Sequence, residues 1–461
     1  MNQQAEHSGH PTASPDPAFA SASHSAALAK ALQAQLAGKL EDAEVAYREI
    51  LACTPGHPTA MHFLGVTLHQ WGRSEEGLAL VQASLAHSPG HGDWHNTLGN
   101  MLVQLGRHEE AVPAFLGALE AEPHHAVAWN NLGAVLLRQG HLNEAKSALA
   151  NAMALNPQFK DALLNLGDAH TQAGEQHEAA LCYCAEYVLR PPQDTQPHML
   201  GIAFSQLGRT QDAVRVYEQW LLAEPTNPVA RHLLEACKGA LSEDRASPDY
   251  VQAYFDQFAD TFESKLLGNL GYRVPACLSA LLQTMGLQPR HTLRVLDAGC
   301  GTGLCGEVLK PYASTLTGVD LSAKCLEKAH AKHVYDSLQH KDIVEYLSAC
   351  QPAALDLVVA ADTLIYFGDL HPILAGAAHA LMPGGWLVAS LEEWRVEPSA
   401  LEEGRIGYYL HAAGRYSHNR SYVLELLQAC GFMVRHVEAL DIRSELARPV
   451  PGMLIAAQRT C

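Results

Sequence analysis

The chain lacks the features that would send it out of the cell, into a membrane or onto nucleic acid. Its eleven cysteines include no CxxC pair, and Cys182 and Cys184 are separated by a single residue, a poor spacing for zinc. Nowhere is there an uninterrupted apolar run of the roughly 18 residues that a membrane-crossing helix requires. The opening MNQQAEHSGHPTASPDPAF has no basic n-region and no apolar h-region, so it does not read as a secretory signal. The expectation is a cytoplasmic protein with reduced thiols and no membrane contact. Positive charge is scarce as well. Residues 1–248 hold 14 Lys+Arg against 26 Asp+Glu, and residues 249–461 hold 17 against 23. Neither half offers the basic surface that a polyanion favours, which excludes nucleic acid as an expected partner. Histidine is frequent, at 26, yet no HxxxH pair shares a helix face with a carboxylate. No metal site is expected.

What the chain has in abundance is register. Pro55, Pro89, Pro123, Pro157, Pro191 and Pro225 stand 34 residues apart, and Gly38, Gly72, Gly106, Gly140, Gly174 and Gly208 keep the same step. That period is the length of a helix–turn–helix solenoid unit. The repeats tile as 24–57, 58–91, 92–125, 126–159, 160–193 and 194–227. Each first helix from the second repeat onward carries a Leu-Gly pair, as in Leu98-Gly99 and Leu200-Gly201. Each second helix carries a small residue, Ala43, Gly77, Ala111, Ala145, Ala179 or Ala213, followed four residues later by a larger one such as Phe115 or Tyr217. The proline closes the second helix because its ring cannot continue the hydrogen-bond ladder.

This pattern resembles the tetratricopeptide repeat, most closely in AVAWNNLGAVLLRQGHLNEAKSALANAMALNP, where Trp129 takes the family's aromatic position. The resemblance implies an all-α solenoid over residues 24–240, closed by a capping helix in VARHLLEACKGAL, after a disordered segment 1–23. It also implies a groove lined by first helices, where Asn96, Asn100, Asn130, Asn131 and Asn165 would bind a peptide or protein substrate. The other reading of these asparagines is solvated first-helix side chains. SEDRASPD reads as a hinge, and residues 241–249 as the linker.

Beyond the linker the pattern changes. Apolar strand-like runs (LRVLDAG, TLTGVD, DLVVAA, GGWLVASLE) alternate with helix-like stretches, which predicts a parallel sheet covered on both faces. FMVRHVEALDIR and GMLIAAQR have no helix between them and predict a terminal antiparallel hairpin. The first strand ends in DAGCGTG, whose Gly299, Gly301 and Gly303 allow a sharp turn and close approach to a ligand. Asp320 ends the next strand, where a carboxylate can accept from ribose hydroxyls.

Together these features resemble the class I S-adenosylmethionine-dependent methyltransferases, with an α/β Rossmann-like seven-strand sheet over residues 250–461. The resemblance implies S-adenosylmethionine as cofactor, held by Asp297, Gly299, Cys300, Gly301, Gly303, Asp320, Leu321, Asp342, Ile343 and Asp362. The segment YVQAYFDQFADTFESKLLGNLGYRVP is similar to the cap of a bacterial subgroup joining tetratricopeptide repeats to such a domain. In that setting Tyr254 and Arg273, with Tyr272, would close over the cofactor; for Tyr254, core packing is an equal reading.

The acceptor leaves a fainter trace. ADTLIYF stands after the fourth strand instead of an Asn/Asp-Pro-Pro-aromatic motif, which disfavours amide or exocyclic amine methylation. His418, Tyr366 and His411 are the candidate catalytic groups, since GYYLHAAGRYSHNRSYV lies where class I enzymes carry substrate residues. The sequence therefore points to a methyltransferase whose repeats recruit a peptide or protein. Two alternatives remain: a small-molecule methyltransferase whose array serves assembly, and a non-catalytic cofactor-binding adaptor. Because the register ends before the cap, residues 242–461 are expected to fold as a separate module.

Overall fold

A computed structural model describes residues 17–239, 244–264, 271–394 and 407–460. Among them, no helix is long and apolar enough to cross a membrane. The chain divides into two compact units, Met1–Glu175 and Gln176–Cys461.

The first unit is a series of helical hairpins. Its opening helix, Pro17–Leu36, begins inside the 1–23 stretch expected to be disordered; residues 1–16 lie outside the described residues. First helices Pro58–Gln70, Gly92–Gln104, Ala126–Arg138 and Lys160–Gln172 alternate with second helices Leu40–Cys53, Ser74–His87, His108–Ala121 and Leu142–Leu155. Each of these second helices stops two residues before its periodic proline. The turn glycines all adopt the left-handed conformation, with φ from 72° to 86°. At the helix crossing the Leu-Gly pair has a steric cause: a Cβ on Gly99 would come within 2.5 Å of the Phe115 ring. The core is correspondingly local, with Phe115, Leu98 and Leu132 in one cluster and Tyr47, Leu64 and Leu68 in another.

The second unit begins with the second helix of the fifth repeat, Gln176–Tyr187. It continues through the sixth repeat, helices Pro197–Gln206 and Thr210–Ala223, and the capping helix Pro228–Lys238. A further helix, Pro248–Phe258, leads to the sheet. Its strands are β1 Leu293–Ala298, β2 Ala313–Asp320, β3 Ser337–His340, β4 Leu355–Ala360, β5 Leu381–Glu393, β6 Tyr408–Leu410, β7 Tyr416–His418, β8 Phe432–Glu445 and β9 Arg448–Arg459. The order β3-β2-β1-β4-β5 is parallel; β9 then pairs antiparallel with β5 and β8 with β9, which is the expected terminal hairpin. The sheet has nine strands where the sequence predicted seven. The extra two, β6 and β7, come from the segment read as a substrate loop, and β7 pairs with the last two residues of β5. Alternation within the strands sends Val295, Leu357 and Val388 to one face and Leu296, Val358 and Leu387 to the other. Leu278, Leu281 and Leu282 of helix Val274–Thr284 cover the first face. Ile373, Leu374 and Ala377 of helix His371–Ala380 cover the second.

The unit boundary falls inside the fifth repeat and not at the expected 241–249 linker, and packing gives the reason. Ala213 and Tyr217 of the sixth repeat, Leu233 of the capping helix, Tyr250, and Tyr408, Leu410 and Tyr416 of β6 and β7 form a single buried core. His232 stacks on Tyr250 at 3.9 Å and its Nε2 donates to the Gly414 carbonyl at 2.9 Å. The described part of the linker is pinned, not a hinge. Asp244 O accepts from the Gly368 and Asp369 amides at 2.8 and 2.7 Å, and Ala246 N donates to Tyr366 O at 2.8 Å. Residues 240–243 lie outside the described residues. A cut at residue 242 would split the tyrosine core that the sixth repeat shares with β6 and β7.

Burial makes the first unit sensitive to acid. His62 is 4% exposed and lies against Trp94, with ring centroids 4.7 Å apart. Desolvation, aided by His91, pushes its pKa down from 6.5 to about 4. The unfolded chain therefore takes up the proton first, and this stabilisation, present above pH 6.5, is lost as pH falls toward 4. The effect amounts to at most roughly 2–3 kcal/mol. Hydrogen exchange over residues 58–104 in the full chain should show protection falling between pH 7.5 and pH 5. His62→Phe keeps the stacking and should flatten that fall. An equal fall in the variant would rule out His62 as its source.

Candidate active site

At the carboxyl ends of the strands, where the order reverses between β1 and β4, lies a cavity of about 480 Å³. It is built from the glycine loop upward. The Gly299 and Cys300 amides both donate to Val319 O on β2, at 2.8 and 3.1 Å, which folds the loop back over the sheet. Gly299 has φ 78°, and a Cβ there would meet Thr363 Oγ1 at 2.3 Å. Thr363 cannot withdraw, because its hydroxyl donates to Ala298 O at 3.0 Å. Position 299 is thus glycine for two independent reasons.

The carboxylates around this loop have distinct roles. Asp320 accepts from the Gly301 amide and the Ser322 amide, both at 2.8 Å, which fixes both oxygens and leaves further lone pairs toward the cavity. Burial raises its pKa despite these bonds. Asp297 is buried and accepts from Tyr335 Oη at 2.7 Å. Desolvation pushes it up to about 7, Tyr335 opposes the shift, and the Asp320 charge adds to it. Asp342 caps helix Ile343–Ala349 by accepting from the Val344 and Glu345 amides, and it pairs with Arg245 at 3.1 Å. Asp362 sits at φ 56°, its amide donating to Ser390 Oγ at 2.7 Å and its carboxylate 3.1 Å from Arg443 Nη1. Burial raises the pKa of Asp362 as well.

Leu321, Ile343 and Cys300 also line the cavity, as do Tyr254, Tyr272 and Tyr366. Two expected cofactor residues do not. Gly303 packs under the loop against Tyr335 and Ala329, and Arg273 is exposed on the surface, its amide near Ile442 O. Among the described residues Arg273 does not line this cavity.

Helix Pro248–Phe258 forms the roof, with Tyr254, Phe255 and Phe258 facing inward. Asp256 on the same helix accepts from Ser322 Oγ at 2.5 Å, which fastens the roof to the loop after β2.

The candidate catalytic groups separate. Tyr366 lies on the cavity wall, edge-on to Phe255 at 5.5 Å, and burial raises its pKa well above that of a free phenol, so it is neutral near pH 7. His418 is completely buried and touches no cavity; its Nε2 donates to Phe367 O at 2.8 Å and Gly368 O at 3.2 Å, and burial lowers its pKa to about 4. It anchors the turn after β4. His411 lines a second cavity of about 360 Å³ and makes a 2.7 Å hydrogen bond to Ser417 Oγ. The groove asparagines bind one another: Asn131 Nδ2 donates to Asn96 and Asn100 at 3.0 Å each, and Asn165 Nδ2 to Asn130 at 2.9 Å.

Three elements of the site had no sequence signal. The first is a buried ion network. Arg443 pairs with Asp362, Glu392 and Glu445, and Arg415 pairs with Glu392 and Glu445. The second is Tyr335, which fills the space beneath the glycine loop. The third is His198, Met199 and Ile202 of the sixth repeat, which line the cavity.

Comparison with known proteins agrees with this architecture. Residues 296–387 match a methyltransferase-domain family model. Residues 63–126 match a tetratricopeptide-repeat model, and residues 104–222 match the middle TPR-like domain of cilia and flagella-associated protein 70. The ubiquinone biosynthesis O-methyltransferase of Paracidovorax citrulli is 29% identical over 153 residues, covering 32% of this chain and 64% of the relative. That of Thiobacillus denitrificans is 34% identical over 101 residues, covering 21% and 43%. The chain thus spans less than two thirds of the length of either relative. A methyltransferase structure from Mesorhizobium loti aligns at 24% identity and TM-score 0.31, covering 39% of this chain and 96% of that one.

One prediction concerns the buried acid alone. Carbon-detected NMR should find the Asp297 carboxyl titrating near pH 7, and Tyr335→Phe should move that midpoint upward, since the phenol stabilises the carboxylate. A midpoint near 4 in the wild type would mean that water reaches the group.

The chain carries tetratricopeptide repeats followed by a methyltransferase domain.

Proposed function

We propose that the whole chain transfers the methyl group of S-adenosylmethionine to a ring-bearing acceptor, and that the first unit recruits the peptide or protein carrying it. The observation that carries the reading is the cradle itself. The Gly301 amide is held by Asp320, a Cβ at Gly301 would meet nothing within 4 Å, and free lone pairs of Asp320 point into the same space. A nucleoside whose vicinal hydroxyls donate to that carboxylate fits the site. Among the described residues, five carboxylates and three guanidiniums line the cavity, an acidic excess suited to a cationic ligand.

When bound, the cofactor supplies an electrophilic methyl on a sulfonium. The protein's own residues do the rest. Asp320 receives hydroxyls, with Leu321 and Ile343 beside it. Tyr254, Phe255 and Phe258 exclude water and present ring faces to positive charge. Tyr366 positions the acceptor as a neutral hydrogen-bonding group. This leaves the proton to the acceptor's own ionisation and asks the enzyme chiefly for alignment. His418 and His411 have no part in this reading, since neither lines the cavity.

A second reading, transfer to a free hydroxylated aromatic molecule, is favoured by the aromatic walls and by the names of the O-methyltransferase relatives. Labelled cofactor incubated with the full chain and a cell extract separates the two. Label in a protein band supports the first, label in an organic-extractable product the second, and no transfer in any fraction would overturn both. For the cofactor, calorimetry should show Asp320→Ala weakening S-adenosylhomocysteine binding by about 1–3 kcal/mol. Unchanged affinity would remove Asp320 from the site.

A further inference from the structure

The 34-residue register gives the sixth repeat a role that the period alone conceals. His198 occupies the position of Asn130 and Asn96 in earlier repeats, Met199 that of Asn131 and Asn165, and Ile202 that of Asn100 and Asp168. In the third to fifth repeats these positions carry the mutually bonded asparagines, beside Thr97, Ala134, Leu164 and Asp168, whereas the second repeat has His62, Phe63 and Val66 there. In the sixth repeat the same helix face carries an imidazole, a thioether and a branched aliphatic side chain, and all three line the 480 Å³ cavity. His198 meets Phe258 of the roof edge-on at 5.3 Å, and Ile202 also lines the second cavity, as Arg415 and Glu445 do.

The geometry points to helix Pro197–Gln206 as the acceptor wall, with His198, Met199 and Ile202 setting which ring fits. This rests on the methyl-transfer reading above and assigns the specificity of that site to the solenoid. Three observations converge. The cofactor-type groups (Asp320, Gly301 and Asp342) sit at the ends of β1, β2 and β3, whereas the wall comes from a helix that precedes the sheet. The wall and roof together present Tyr254, Phe258, Tyr366, Met199 and Ile202, a surface for a flat apolar ring and not for a charged chain. The helix is held rigidly: a Cβ at Gly201 would collide with Tyr217, which is itself fully buried in the shared core and donates to His198 O. A wall fixed in this way discriminates by shape.

The test uses two fluorine-bearing probes on the full chain, 4-fluorophenol and N-acetyl-4-fluorophenylalaninamide, titrated by fluorine NMR with and without S-adenosylhomocysteine. Both carry the ring; only the second carries it on a peptide backbone, so tighter binding of one identifies how the ring arrives. Ile202→Trp narrows the cavity and should weaken the better probe by about tenfold or more, while Ile202→Ala should weaken it only a few-fold. S-adenosylhomocysteine affinity should stay within about twofold of wild type in both variants, which also verifies folding; tenfold is about 1.4 kcal/mol. Equal probe binding in wild type and Ile202→Trp, or no saturable binding by wild type, overturns the wall. Loss of S-adenosylhomocysteine binding by wild type would instead overturn the cofactor reading, and the probe titrations without it would still decide the wall.

Discussion

Five aromatic and aliphatic side chains brace the cavity without lining it. Tyr217, Leu233, Tyr250, Tyr408 and Tyr416 come from the last repeat, the capping helix, the roof helix and the β6–β7 hairpin, and none of them reaches the cavity. Burying a tyrosine removes on the order of 150–250 Å² from water, so a cluster of four is a large local stabilisation. Its consequence is positional. Helix Pro197–Gln206 cannot drift without opening this core, and neither can helix Pro248–Phe258. Both walls of the acceptor side are therefore fixed by contacts remote from the chemistry. The hydrogen bonds from the linker to the turn after β4 act in the same direction by tying Ala246 to Tyr366.

A second constraint runs beneath the cavity floor. Arg443 is 4% exposed and Glu392 is 6% exposed, so both ions are almost wholly out of water. Such a network is not strong evidence for stability, because desolvation consumes much of the Coulomb energy. Its geometry is more telling. Arg443 on β8 reaches Asp362 after β4 and Glu392 on β5, and Arg415 leads from the same carboxylate to Glu445. Arg443 thus pairs with a residue, Asp362, in a backbone conformation that a non-glycine residue rarely adopts. The paired arginines also divide the two cavities, since Arg415 and Glu445 line both. Removing one arginine would leave buried carboxylates uncompensated. The network thus behaves as a unit, and its members are not independent sites.

Much of the fold was legible because it is written in short-range periodicity. Glycine at a helix crossing, glycine in a left-handed turn and proline after a second helix each have a local steric cause, so their spacing survives in one dimension. The strands and the terminal hairpin were legible for the same reason. The glycine loop and Asp320 were legible because close backbone approach restricts residue type. The failures share the opposite character. His418 and His411 were chosen for polar neighbours in sequence, but whether a histidine faces a cavity is decided by tertiary packing: one is sealed inside, the other lies behind Arg415. Arg273 was expected to close over the cofactor and stands exposed, off the cavity lining. Arg415 and Arg443 looked like surface arginines among many. The tyrosines of β6 and β7 read as a substrate loop because a three-residue strand carries too little pattern to announce itself.

The division into compact units differs from the repeat boundaries for a more general reason. A repeat period marks where a structural motif ends, and a compact unit need not end there. The sixth repeat keeps the proline, the turn glycine and the Leu-Gly pair, so by pattern it belongs wholly to the array. Its buried surface belongs to the sheet. The two facts are compatible because the residues that define the hairpin and those that define its outer face are different sets. Gly201 and Ala213 set the crossing of the two helices, and His198, Met199 and Ile202 stand on the face left over. A solenoid repeat can thus keep its internal signature while its exposed positions are reassigned. Residue type alone does not announce the reassignment, since His62, Phe63 and Val66 of the second repeat hold the same register as His198, Met199 and Ile202. The period identifies which residues to compare, and what those residues line marks where the array stops being only an array.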